Sequence, residues 1–182
     1  MGSGIVYSPA LYPSATGVWG RAGFSRFGGL SVMERSLAVD GHPPEHPIEA
    51  SAEPDWTAVA TIDGLAFEGF WRMNKSGLIE AMRATPRAVV LQARVDGRLA
   101  GYALVGAQTS LAFLQRVAVA PDFSGRGLGT SLVRAARDWA GERRARAMVL
   151  NLRPENNRAR SLYEREGFVS NDTELQLLRF ES

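Results

Sequence analysis

Gly125, Gly127 and Gly129 alternate with Arg126 and Leu128, and this spacing is the first in the chain to suggest chemistry. Before them a β-branched run, Val117 and Val119, stops at Pro121. After them Leu128, Leu132, Ala135, Ala136 and Trp139 recur on one helical face. The order is strand, glycine loop, helix. Glycine lets backbone approach a ligand without a Cβ in the way, and the first helical turn offers N–H groups with no partner of their own. Such a loop binds phosphate, aided by the helix dipole and by the Arg126 side chain. The bland alternative is a structural turn.

The rest of the composition narrows the chemistry. The 182 residues suit one domain, and a hydrophobic share of 45% is ordinary for a folded chain. There is no cysteine, which removes disulfides, thiolate catalysis and zinc–thiolate sites. His42 and His46 both lie in a proline-rich stretch, so no metal site is expected. No run approaches a membrane span and no basic-then-apolar leader opens the chain, so the expected setting is cytoplasmic, without membrane contact. A net charge of +2 gives no case for nucleic acid. Arg134, Arg137, Arg143, Arg144 and Arg146 gather near the end of the helix after the loop and read as a solvated face.

The elements that would position the loop follow in order. A helix is expected over Pro9–Arg21 and a strand over Leu30–Leu37, then a proline-punctuated linker over 40–54 with a short strand near Ile48. Asp55 is a fair N-cap for a helix over Trp56–Ala66. An aromatic bend, Phe67 to Met73, leads to a helix over Leu78–Ala84 opened by Ser76 or Gly77. Strands Ala88–Val95 and Leu99–Gly106 flank Asp96-Gly97, a strong hairpin signal. The glycine-loop strand runs over Ala112–Ala120, its helix to about Gly141, and Met148–Leu152 forms the next strand. Asn156 or Asn157 caps a helix ended by Gly167, and a hairpin of 168–170 with 174–180 finishes the chain. The sum is an α+β fold, a mixed central β-sheet flanked by helices and parallel only at the glycine loop.

Three stretches in this order resemble the GNAT superfamily of N-acetyltransferases: Val117-Ala118-Val119 with the Ser124–Gly129 loop, Asn156 to Tyr163, and Glu164-Arg-Glu-Gly-Phe168. The similarity covers about residues 47–180 and implies the GNAT fold with acetyl-CoA as cosubstrate. It implies that the backbone of Val117, Ala118 and Val119 lies along the pantetheine arm, with Val117 and Val119 bonding it as an added strand. Gly125, Arg126, Gly127, Leu128, Gly129 and Thr130 would cradle the pyrophosphate. Asn156 would bond the pantetheine or fix the splayed strand, with a plain helix cap as the alternative. Tyr163 would protonate the departing thiolate, a core tyrosine being the alternative. Two positions depart from the pattern. Ser124 replaces the usual Gln or Arg, and Asn151, which is no base, stands where one branch carries a glutamate.

The implied reaction is attack of an uncharged amine on a thioester, with a backbone N–H near Val117 meeting the oxyanion. Glu68 is the candidate base, with a water relay as default. Phe67, Phe70 and Trp71 read first as core packing, and otherwise as a border of the acceptor site, which in this family lies by the first two helices. The acceptor would be a primary amine of a protein N-terminus, amino acid or small molecule. A non-catalytic acyl-CoA-binding regulatory module is the alternative function. A dinucleotide oxidoreductase is disfavoured by Thr130 where a third fingerprint glycine belongs.

The chain divides near residue 45, with residues 46–182 as the acetyltransferase domain. Within 1–45, Ala15 to Phe24 parallels Ala159 to Phe168, with Trp19 at the place of Tyr163. This extension resembles the tail of a second module. It is too short to bury a core alone and is expected to dock on the main sheet or on a partner, a homodimer being one option.

Overall fold

Asp96 and Gly97 both adopt positive φ, 50° and 75°, which is the geometry a two-residue turn needs between twisted strands. They join two of the eight strands in the computed structural model, which describes residues 4–39 and 41–181. In chain order the elements are β1 (Ile5–Tyr7), α1 (Thr16–Arg21), β2 (Ser25–Ser36), β3 (Ile48–Ser51), α2 (Trp56–Ala66), α3 (Lys75–Arg83), β4 (Arg87–Val95), β5 (Arg98–Gln108), β6 (Leu111–Val119), α4 (Leu128–Glu142), β7 (Ala147–Leu152), α5 (Asn157–Arg165) and β8 (Val169–Glu181). One sheet holds all the strands in the order β1-β8-β2-β7-β6-β5-β4-β3. Every neighbouring pair is antiparallel except β6 and β7.

Alternation along the strands divides the core between two faces. On one face α4 packs its Leu128, Leu132, Ala136 and Trp139 against Val105, Leu114, Met148, Leu150 and Met33. On the other, Val59 and Ile62 of α2 and Leu78 of α3 cover Val90, Tyr102, Leu104 and Ala118. Farther along this second face Phe27 and Trp71 pack on Leu30, Val32, Leu175 and Leu177. Among the described residues no helix is long and apolar enough to cross a membrane.

Several expected elements change. The first helix shrinks to a 3-10 turn, Pro13–Ala15, and six residues of α1, while β1 was not foreseen. Helix α3 starts at Lys75, because Asn74 caps it by accepting from the Gly77 amide. The terminal hairpin is instead one thirteen-residue strand, β8, with an irregularity around Asp172, whose φ is 57°. It stays extended because β2 pairs along most of its length and β1 takes its other edge at the C-terminal end.

Strand β2 begins at Ser25, earlier than the apolar pattern suggests, and lies inside the sheet between β7 and β8. Its approach copies the approach to β8. Gly23 and Gly167 have φ of 89° and 80°. Phe24 donates its amide to the Trp19 carbonyl as Phe168 does to Tyr163, at 3.1 and 2.9 Å. Both aromatic pairs meet edge to face, at 4.9 and 5.7 Å. From β2 the linker crosses α4. Amides of Glu45 and His46 donate to Ser131 Oγ, Arg134 reaches Pro43 O and Glu45, and Arg137 reaches His42 O.

Candidate active site

The strands β6 and β7 are paired only from Leu111↔Ala147 to Phe113↔Val149, yet β6 runs on to Val119 and β7 to Leu152. Beyond the last pair they splay. On its other side β6 remains bonded to β5, and the Ala120 amide continues that pattern by donating to Ala100 O at 2.8 Å. Because backbone groups alternate sides along a strand, Val117 and Val119 turn theirs into the splay while Ala118 bonds β5. Ala118 therefore contributes only to the wall, its side chain packed toward α2.

The glycine loop closes one end of the opening. Gly125 and Gly127 have φ of 79° and 82°, and a Cβ at Gly125 would meet nothing within 4 Å. Gly127 is the N-cap of α4 and no side chain caps that helix. The first helical bond comes from the Ser131 amide to Gly127 O, so the N–H groups of Leu128, Gly129 and Thr130 have no acceptor within the helix. Three orphan donors beside an open loop at the positive end of a helix suit a diphosphate. His46 braces the loop from outside, donating from Nε2 to Arg126 O at 2.8 Å.

A cleft of about 750 Å³ joins these parts. Val117, Ala118, Val119, Gly125, Gly127, Leu128, Gly129, Thr130, Asn156 and Tyr163 all line it. Asn156 caps α5 by accepting from the Ala159 amide at 3.1 Å, which leaves its NH₂ group unbonded and makes no tie to the splayed strands. The Tyr163 hydroxyl has no hydrogen-bond partner, and burial pushes its pKa up to about 12. A phenol so placed keeps its proton until a stronger base arrives. Two expected residues stand apart. Arg126 is exposed outside the lining, its guanidinium 5.5 Å from the Phe123 ring, and Glu68 is exposed on the bend with no side-chain hydrogen bond or ion pair.

The sequence reading missed the group that joins α2, the aromatic bend, β5 and β6. Asp63 lies on the buried face of α2 with no exposed side-chain surface. Arg116, one residue before Val117, grips it with two bonds, Nε to Oδ2 at 2.5 Å and Nη2 to Oδ1 at 2.9 Å. Tyr102 donates its hydroxyl to Asp63 Oδ2, and burial with the Asp63 bond pushes the phenol's pKa upward. The same network fixes the aromatic bend: Arg116 donates to Trp71 O, its guanidinium covers the Phe67 ring at 3.8 Å, and the Met73 amide donates to Asp63. Phe67 lines the cleft, and Arg153, just after β7, reaches over Trp71 at 5.3 Å. An aspartate on an otherwise apolar helical face was the signal available in the sequence.

A splayed parallel pair, an uncapped glycine-started helix and a partly buried phenol without a hydrogen-bond partner thus meet in one cleft. The chain belongs to the GNAT acetyltransferase family, whose model matches residues 53–168. A Bacillus subtilis relative named for alanine N-acetylation of ribosomal protein bS18 is 30% identical over 60% of this chain and 71% of its own. The fold is similar to a GCN5-related N-acetyltransferase from Sphaerobacter thermophilus, with TM-score 0.66 and 20% identity over 98% of this chain. It is also similar to a tandem GNAT protein from the clavulanic acid biosynthesis pathway, with TM-score 0.68 and 20% identity over 98% of this chain. The chain spans 60% and 64% of those two structures.

Proposed function

We propose that this enzyme moves the acetyl group of acetyl-CoA to a primary amine by direct attack, with Tyr163 as the acid for the leaving thiolate. The observation that carries this reading is the unbonded Tyr163 hydroxyl in the same cleft as the free backbone edge of Val117 and Val119. The pantetheine arm lies along that edge and the diphosphate sits on the amides of Leu128, Gly129 and Thr130. A Val117 N–H meets the oxyanion. The bS18-type relative makes an alanine N-terminus the first acceptor to try.

Residues 1–45 we read as the tail of a second module that serves this one as a strand. The test of function is Tyr163→Phe assayed on an alanine-initiated peptide, an amino acid panel and small amines. The expected result is a fall in kcat of about 10²-fold or more with acetyl-CoA affinity held within about threefold. Unchanged turnover removes Tyr163 from the chemistry. A wild-type chain that binds acetyl-CoA but acetylates none of these amines favours the regulatory reading, which Asn151 in place of a carboxylate also supports.

A further inference from the structure

An amine acceptor arrives as an ammonium ion and must lose a proton before it can attack. Asn151 accepts no proton, Glu68 stands on the exposed bend, and Asp63 is committed to Arg116, Tyr102 and the Met73 amide. One further carboxylate shares the acceptor face, and it comes from the N-terminal segment.

On β2, Met33 packs into the α4-side core and Arg35 donates to Glu166 O, so both face α4 and α5. Val32 packs with Trp71 on the opposite face, and strand alternation places Glu34 there too. The register makes this local. Val32 lies opposite Asn151 and Glu34 opposite Val149, while Met148, Leu150 and Leu152 of β7 fill the other side. Val149 is also the last β7 residue paired with β6, so Glu34 stands in the row where the two strands begin to part. Directly opposed Cβ atoms in such a pair are about 5 Å apart and diagonal ones about 7–8 Å, which brings the Glu34 carboxylate within reach of the Asn151 amide. Glu34 is half-buried, and its side chain makes no hydrogen bond or ion pair.

Resting on the transferase reading above, we infer that Glu34 is the proton acceptor for the amine, receiving the proton through a water held by Asn151. The ammonium passes one proton to Glu34 by way of that water, and the nitrogen lone pair attacks the thioester carbon. The C–S bond breaks, Tyr163 protonates the thiolate, and the second nitrogen proton restores the phenol. The products are an amide, free CoA thiol and a protonated Glu34 that discharges to solvent. The charged groups on surrounding elements are Arg153 just after β7, Arg116 with its partner Asp63, Glu68 and Arg72 on the bend, and Asp172 on β8. Arg116 is spent on Asp63, and Arg153 lies over the Trp71 ring.

The experiment compares wild type, Glu34→Gln, and Glu34→Gln with Asn151→Glu, on a peptide beginning with alanine, with acetyl-CoA affinity measured in parallel. Glu34→Gln is expected to lower kcat/KM about 10-fold near pH 7, where about a tenth of an amine with a pKa of about 8 is already uncharged, and to recover as pH passes that value. Acetyl-CoA affinity stays within about threefold. The double variant, which returns a carboxylate one strand nearer the thioester, is expected to regain at least about half of wild-type kcat/KM near pH 7. Activity of Glu34→Gln within about threefold of wild type, or a loss equal at every pH, overturns the assignment while leaving the transferase reading intact. A wild-type chain that binds acetyl-CoA and transfers nothing overturns both.

Discussion

Tyr163 sits where its environment opposes ionisation. Burial raises the phenol from its usual value near 10 to about 12, so the folded chain retains a proton that the unfolded chain releases first. The resulting stability is complete below pH 10 and is lost as pH climbs toward 12. Denaturant titrations at pH 9 and pH 11 are therefore expected to show wild type losing more stability over that interval than Tyr163→Phe. Equal losses would mean the hydroxyl is not desolvated. Single residues were unevenly legible. The glycines were singled out by their spacing and Tyr163 by the family resemblance, and Gly125, Gly127, Gly129 and Tyr163 all line the cleft. The clamp of Asp63, Arg116 and Tyr102 was not, since it joins a helix and two strands far apart in the sequence and depends on which faces meet.

At the scale of elements, α2, the aromatic bend and β6 form a unit around one ion pair. Arg116→Met leaves Asp63 charged and buried without its partner, a change costing about 3–5 kcal/mol. For a chain of this length the midpoint of thermal unfolding falls by roughly 10 °C. Replacing both partners, Asp63→Leu with Arg116→Met, removes the orphan charge and is expected to restore much of that stability. The bend would then lose its anchors at Trp71 O and the Met73 amide. An acceptor KM raised about tenfold, with acetyl-CoA affinity retained, is the expected signature in steady-state kinetics. Recovery of both stability and KM would show the clamp to be structural only. Elements with strong local signals, such as α2 capped by Asp55 or the hairpin at Asp96-Gly97, appear at their expected places. Strand β8 was misread because its turn-forming residues, Asn171 and Asp172, are absorbed by an irregular pairing with β2 that only the assembled sheet reveals.

For the whole molecule, the decisive feature is the insertion of β2 between β7 and β8. A repeated sequence pattern at Ala15–Phe24 pointed to an acetyltransferase-like tail, but nothing local says that its strand takes an interior place in the sheet. The linker that follows is tied to α4 by Ser131, Arg134 and Arg137, which favours insertion by the same chain. The two ends of the described chain also meet, with Ile5 directly opposite Glu181. Chain connectivity is thus separable from architecture. A circular permutant that joins Ser182 to Met1 through a few glycines and opens between Val39 and Gly41 is expected to fold and to retain acetyl-CoA binding, as measured by thermal shift. The bonds of residues 42–46 to Ser131, Arg134 and Arg137 and the His46 brace on the glycine loop all lie after the cut, so weaker cosubstrate binding with an intact fold would show that the brace depends on the link back to β2. A gene encoding this fold can begin in the middle of the sheet and lose nothing the sheet requires.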